Sequence, residues 1–291
     1  MSIRYSATWT AIPDNLSSQL MQHGGENTQP EKVIYEEAIT GKTASYGPFH
    51  RQIRQTAYSL RQTLSLGPGN IVSISASSCI DYILTAHAVW WAGGVVSPIN
   101  NTLHIDEITH ALDLIKSRIF IVDETLYGKI PAIKEGSHHA RQPKMMEIFT
   151  IGSNVSKDWP RLPLVSLPSD TKGLELHNPT RANKFDARNT CAAINFRVAQ
   201  QALQRQSDNT QNWRGLQREI FFPPLSHVYA LYVCFTMNLW LRSYVYLMPR
   251  FDLELYCRLM QDRWATLARI VPAVAKMLAD MSSMLIGGRY E

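Results

Sequence analysis

Apolar and polar residues alternate along the first 135 residues in a way that predicts strands and helices in turn. Two short β-type runs, at 32–36 and 43–46, meet at Gly41-Lys42, which is typical of a hairpin. The apolar runs 71–76, 95–98 and 118–122 predict buried strands. Helices are predicted at 79–91 and 105–115. A further amphipathic helix is predicted where apolar residues recur three and four apart, at Phe49, Ile53, Ala57, Leu60 and Leu64.

The pattern weakens between about residues 136 and 190, where prolines are frequent and only 147–151 predicts a strand. Strands are predicted again at 191–196, 219–222, 244–248 and near 267–271, with helices that begin at His227, Asp252 and Pro272. This alternation favours an α/β fold, with mostly parallel sheets and helices on both faces. We therefore expect a first α/β subdomain at 1–135, an irregular connection at 136–190, a second, truncated α/β subdomain at 191–280 and an unrelated tail at 281–291.

The bulk properties of the 291 residues fit a globular intracellular protein. The formal charge of +5 is small, and the arginines between 181 and 218 are spread through polar sequence, so no nucleic-acid surface is expected. The four cysteines lie far apart in apolar or mixed runs, as reduced thiols do. No segment resembles a signal peptide, and the apolar run 228–241 is shorter than the ~20 residues of a membrane span. A cytoplasmic location is the expectation.

Three short motifs resemble known binding motifs, but their sequence context favours a different interpretation. Gly67-Pro68-Gly69 precedes a strand, whereas a dinucleotide fingerprint follows one, so we interpret it as a turn. Gly41-Lys42-Thr43 resembles the end of a phosphate loop but lies between two β runs, which favours the hairpin. His138-His139 has no acidic or cysteine companion at metal spacing, and we assign no metal ligand.

Three longer segments together resemble the AMP-forming acyl-CoA ligases, the adenylating family that includes the 4-coumarate-CoA ligases. Residues 64–112 resemble a strand–helix–strand–helix block of that family, FFPPLSHVYALYV at 221–233 its aromatic and histidine motif, and 246–279 its next strand–helix–strand–helix block. The order of the segments is also that of the family. The resemblance implies the large N-terminal domain of an adenylate-forming ligase, here incomplete.

The resemblance also implies a chemistry and two site residues. The family joins a carboxylate, aryl or fatty, to AMP and then to coenzyme A, so ATP, magnesium and coenzyme A are its cofactors. By resemblance, His227 and Tyr229 border the pocket for a small carboxylic acid. The alternative is that both residues simply cap and pack the helix that begins there. No catalytic, cofactor-binding or metal-binding residue is assigned.

The chain departs from this family where ATP would be held. In the family, the strand equivalent to residues 192–196 continues into a Ser/Thr/Gly loop with a lysine. Here residues 197–207 are rich in Gln and Ala, and no glycine occurs between Phe196 and Gly215. Backbone approaches phosphate closely where side chains are absent, and each lost charge-assisted hydrogen bond is worth about 1.5–3 kcal/mol. The resemblance also ends after Ala279, before the family's later motifs, so we expect impaired catalysis.

Two alternatives to an impaired ligase stay open. The chain could be a non-catalytic binding protein that pairs with an intact paralogue or with itself. It could also be a splice variant or a faulty gene reading of an active ligase. Strand edges that later segments would cover favour aggregation, so poor solubility is expected when the chain is expressed alone.

Overall fold

The structure is a computed structural model of the chain. It describes residues 17, 20–21, 28–137, 146–154, 156–163, 217–263 and 265–287. Within them the α/β prediction is confirmed: parallel strands alternate with helices, and the strands form two sheets.

The first sheet has four parallel strands in the order β4-β3-β5-β6. These strands are β3 (Ile71–Ser75), β4 (Val95–Pro98), β5 (Ile119–Val122) and β6 (Glu147–Thr150). The helices that belong to this part of the chain are α1 (Tyr46–Leu64), α2 (Ile80–Trp91), α3 (Ile105–Ile115) and α4 (Ile130–Gly136).

The second sheet has five strands in the order β2-β1-β8-β7-β9. They are β1 (Val33–Glu37), β2 (Thr43–Ser45), β7 (Arg218–Phe221), β8 (Tyr244–Leu247) and β9 (Leu267–Ala268). The hairpin β1–β2 is antiparallel, as predicted, and the other pairs are parallel. Because β1 pairs with β8, an N-terminal hairpin joins a sheet built mainly from C-terminal strands. The division into subdomains at residues 135 and 190 stays a prediction.

The helices of the second half begin with a continuous helical stretch after β7. It consists of α5 (Val228–Ala230), a π-helical segment (Leu231–Met237) and α6 (Asn238–Leu241), which follow one another directly. The remaining helices are α7 (Leu253–Asp262) and α8 (Pro272–Gly287).

Three apolar clusters arrange these elements in five layers. The central cluster contains buried residues of α1, α2 and the helical stretch 228–241, and the facing residues of both sheets. A second cluster packs α3 and α4 on the outer face of the first sheet, and a third packs α7 and α8 on the outer face of the second. Strand β5 shows the alternation, since Ile119 and Ile121 face the centre while Phe120 and Val122 face α3 and α4.

The buried Arg242 ties the N-terminal residues to the second half. It lies at φ 54° after α6 and is 1% exposed. Its guanidinium donates to the carbonyl of Leu239 and, at 3.1 Å, to that of Met21, and it lies 4.1 Å from the ring centre of Tyr46. The cation is thus held by carbonyl dipoles and an aromatic face.

Candidate functional site

His227 ends the turn after β7 and starts the helical stretch. Its backbone is extended (φ −88°, ψ 146°), and its Nδ1 accepts a hydrogen bond from the backbone N–H of Tyr229 at 3.1 Å. This is an N-cap: the side chain satisfies a donor that has no partner within the helix. Since Nδ1 is the acceptor, the neutral ring carries its proton on Nε2, on an exposed residue. His227 can therefore cap the helix and donate a hydrogen bond outward.

Tyr229 lies two residues after His227 and is partly exposed, with its ring stacked on Phe221. The ring centroids are 6.1 Å apart and the planes differ by 12°. Burial is the main reason that the pKa of Tyr229 is raised; the charge of Arg269 opposes this shift, and that of Glu219 adds to it. The hydroxyl end of Tyr229 thus lies close to two charged side chains from β7 and from the turn after β9.

Glu219 and Arg269 form a buried ion pair beneath Tyr229. Their Nε and Oε1 atoms are 3.0 Å apart, Glu219 is fully buried, and the side chain of Arg269 is 20% exposed. Although the charges touch, neither carboxylate oxygen has a hydrogen bond of ordinary geometry within the described residues. Loss of water raises the pKa of Glu219, whereas Arg269 and the neighbouring Asn238 favour the charged form.

The π-helical segment sets which side chains face this pair. A π turn inserts one extra residue, and such turns are frequent at functional sites. Directly after it, Asn238 is 1% exposed, and its side chain lies close enough to Glu219 to favour the charged carboxylate. The last residue of the segment, Met237, accepts a weak contact from Nη2 of Arg269 at 3.8 Å. Glu219, Arg269 and Asn238 therefore form one polar cluster inside the central layer.

Two side chains from the first third of the chain anchor the π-helical segment. The hydroxyl of Tyr35 donates to the carbonyl of Cys234 at 3.0 Å. Nε2 of His87 lies 3.1 Å from the carbonyl of Phe235, and its Nδ1 lies 2.9 Å from the hydroxyl of Ser17. Because a carbonyl only accepts, His87 carries its proton on Nε2 and Ser17 donates to Nδ1. Burial lowers the pKa of His87 to about 3.

The two residues expected to border the pocket, His227 and Tyr229, lie side by side, and the capping alternative is part of what His227 does. The polar cluster beneath them was not anticipated from the sequence. Its signal was a glutamate within the apolar run REIFF and an arginine within LARIV. The residues 192–207, on which the missing phosphate loop was inferred, lie outside the described residues.

In the described part of the chain, no group of three or more His, Cys, Asp or Glu side chains could hold a metal ion. None of the helices described there is long and apolar enough to cross a membrane.

Solved structures share this fold. The N-terminal domain of FACL13 from Mycobacterium tuberculosis superposes with a TM-score of 0.67 at 18% identity, covering 91% of this chain and 64% of that one. Apo MatB from Rhodopseudomonas palustris superposes with a TM-score of 0.61 at 19% identity, covering 90% and 50%. At this identity the likeness establishes the fold, which is that of the N-terminal domain of adenylate-forming ligases.

Comparison of the sequence shows the family to which the chain belongs. The AMP-binding enzyme family matches residues 23–196, well over half of the chain, so the chain belongs to that family of AMP-forming ligases. It is 30% identical over 122 residues to "4-coumarate--CoA ligase-like 1" of Arabidopsis thaliana, covering 42% of this chain and 22% of that protein. It is 20% identical over 275 residues to "Probable 4-coumarate--CoA ligase 2" of Dictyostelium discoideum, covering 87% and 49%. The chain thus spans about half, or less, of the length of these relatives.

Proposed function

We propose that this chain carries the acid-binding part of an acyl-CoA ligase and is catalytically impaired. The inherited reaction joins the carboxylate of an aryl or fatty acid to the α-phosphate of ATP and releases pyrophosphate. Coenzyme A then displaces AMP to give the thioester. The family match over residues 23–196 is the observation that carries the reaction class.

The geometry around His227 supports the acid-binding part of the proposal. An exposed Nε2–H and the start of a 14-residue helical stretch both favour a negatively charged group at this position. The ring of Tyr229, stacked on Phe221, offers an apolar face beside it. A carboxylate near His227 with its acyl group along Tyr229 is therefore the arrangement we propose.

Impaired catalysis is proposed from the sequence after Phe196. Adenylation builds charge on phosphate oxygens, and N–H donors held in place around them lower the barrier. Residues 197–207 contain arginine but no glycine and no lysine. An arginine can contact a phosphate, yet it does not replace a loop of backbone amides that surrounds three of them.

Pyrophosphate exchange tests both parts of the proposal. The chain is incubated with ATP, magnesium, labelled pyrophosphate and a panel of aryl and alkyl carboxylic acids. We expect exchange at the level of a blank without enzyme, while calorimetry detects binding of an acid that His227→Ala weakens. Robust acid-dependent exchange would contradict the claim of impairment, and exchange lost in His227→Ala would place His227 in the reaction.

A second candidate is a non-catalytic protein that binds a paralogue or a second copy. The observation that favours it is a group of exposed apolar residues where β9 leads into α8: Ile270 and Val271 are each 40% exposed, and Met277 is 43% exposed. Co-expression with a full-length family member tests it. A complex of fixed stoichiometry would favour this function, whereas aggregate alone would count against it.

A further inference from the structure

Arg269 lies beside Tyr229, because Tyr229 stacks on Phe221, and Glu219, the partner of Arg269, lies two residues before Phe221 on the same face of β7. His227 contacts the backbone of Tyr229, whereas Arg269 acts on its hydroxyl end. The guanidinium also contacts Glu219 at 3.0 Å and Met237 at 3.8 Å. Three elements therefore meet at this one side chain: the turn after β9, the strand β7 and the π-helical segment.

The position of Arg269 is fixed rather than adaptable. Its partner Glu219 is fully buried on a strand that has neighbours on both sides, β8 and β9. Moving Arg269 away would leave that carboxylate buried and unpaired, which costs several kcal/mol. A ligand that needs the space of the guanidinium must therefore break the ion pair.

We propose that Arg269, held by Glu219, closes the acid site behind Tyr229 and limits it to short carboxylic acids. This inference rests on the proposed function, because it places the carboxylate near His227 and the acyl group along Tyr229. An acyl chain longer than the Tyr229 side chain then meets the guanidinium. It finds no space there, because the ion pair with Glu219 holds the guanidinium in place.

The groove on the outer face of α7 is a separate feature. It is lined by Leu253, Glu254, Cys257, Arg258 and Gln261. It lies on the α7 side of the second sheet, while Tyr229 packs against the central cluster on the opposite face. Substitutions at Arg269 should not change the affinity of a ligand that binds in this groove. They therefore distinguish binding in the groove from binding beside Tyr229.

The chain-length series of the unmodified chain is the first test. Calorimetry measures the affinity for acetate, propionate, butanoate, hexanoate, octanoate and decanoate. In an open apolar site each added methylene contributes about 0.8 kcal/mol, or about four-fold in affinity. We expect the affinity to stop rising at about butanoate. An affinity that climbs through to decanoate would overturn the closure. No binding of any acid would instead overturn the proposed function on which it rests.

Two matched variants then assign the limit to Arg269. Both carry Glu219→Leu, so that no buried carboxylate is left without a partner; one adds Arg269→Ala and the other Arg269→Met. Alanine opens the space, and we expect affinity to rise about four-fold per methylene beyond butanoate. Methionine has a similar volume and fills most of the same space without the charge, and the limit of the unmodified chain should remain.

The variants overturn the inference in either of two ways. A limit that stays at butanoate with alanine shows that another side chain closes the site. A limit that is lost with methionine as well shows that bulk at residue 269 does not set it. Thermal melts test whether each variant is folded. If a variant does not fold, the chain-length series of the unmodified chain decides by itself whether the site is closed. Arg258→Ala on α7, a 60% exposed side chain, is the control.

Discussion

The two sheets follow the same rules of packing but differ in what they bury. In the first sheet, the side chains that face the helices on either side are mostly apolar, and its buried polar side chains are mainly serine hydroxyls and Asp123 at a strand end. The second sheet buries Glu219 within β7, with Asn238 beside it and Arg269 in contact. The first sheet is therefore a framework, and the second carries the unusual chemistry. Buried charge without apolar benefit is typical of sites that serve a function rather than stability.

The largest effect is expected when the ion pair of the second sheet is broken from one side. Arg269→Met leaves the Glu219 charge buried and should lower the free energy of unfolding by about 3–5 kcal/mol at neutral pH. The loss should shrink as the pH falls, because burial already raises the pKa of Glu219 and protonation removes the charge. Urea unfolding at several pH values measures both effects.

The matched control removes both charges together. Glu219→Leu with Arg269→Met replaces the pair by apolar side chains of similar volume and should cost little or even stabilise. If the single and double variants lost the same stability, the pair would not be the unit that matters, and the contrast between the two sheets would lose its basis.

Around the first sheet, the largest expected loss of stability comes from creating a cavity rather than from leaving a buried charge unpaired. Leu112 and Leu114 lie on the same helix, α3, but Leu112 is fully buried and Leu114 is 74% exposed. Leu112→Ala should cost about 2–5 kcal/mol, since the surroundings fill the space only in part. Leu114→Ala should change stability by less than about 0.5 kcal/mol. Equal losses at both positions would contradict the layer assignment of α3.

The sequence predicted the framework better than the site, for a physical reason. Periodicity places a residue on a face, so the helix marked by Phe49 and Leu60 was found, and the strands predicted at 95–98 and 118–122 lie at 95–98 and 119–122. Pairing between distant segments leaves no periodic trace. The pairing of β1 with β8, and of Glu219 with Arg269, joins residues far apart in the chain.

The π-helical segment was missed for a related reason. Residues 228–241 predict one regular apolar helix, and the inserted turn depends on what the carbonyls of Cys234 and Phe235 can bind elsewhere. Their partners Tyr35 and His87 come from the first third of the chain. The helix start at His227 was predictable because a cap is local, involving only the next two residues.

His87 makes the central layer sensitive to acid. Its pKa in the folded chain is lowered to about 3, below the value of about 6.5 expected for an unfolded chain. The stabilisation is therefore fully present above pH 6.5 and is lost as the pH falls towards 3, by up to about 1.4 kcal/mol per pH unit. Urea unfolding of the unmodified chain and of His87→Gln is measured in steps of about one pH unit between about pH 4 and 7. We expect the free energy of unfolding to depend less steeply on pH in the variant. Parallel curves would contradict this, because carboxylates titrate in both proteins.

The smallest expected effect on stability concerns how helices α2 and α7 are capped at their first residues. Helix α2 has no cap from its own Cys79, and the N–H of Ile80 instead donates to Glu37 of the second sheet at 3.0 Å. Helix α7 is capped locally, since the carboxylate of Asp252 accepts from the N–H of Leu255 at 2.8 Å. Asp252→Ala should cost about 1 kcal/mol, while Asp252→Ser keeps an acceptor and should cost much less. Thermal unfolding of the two variants compares them, and equal losses would show that the charge near the helix start, rather than the cap hydrogen bond, stabilises α7.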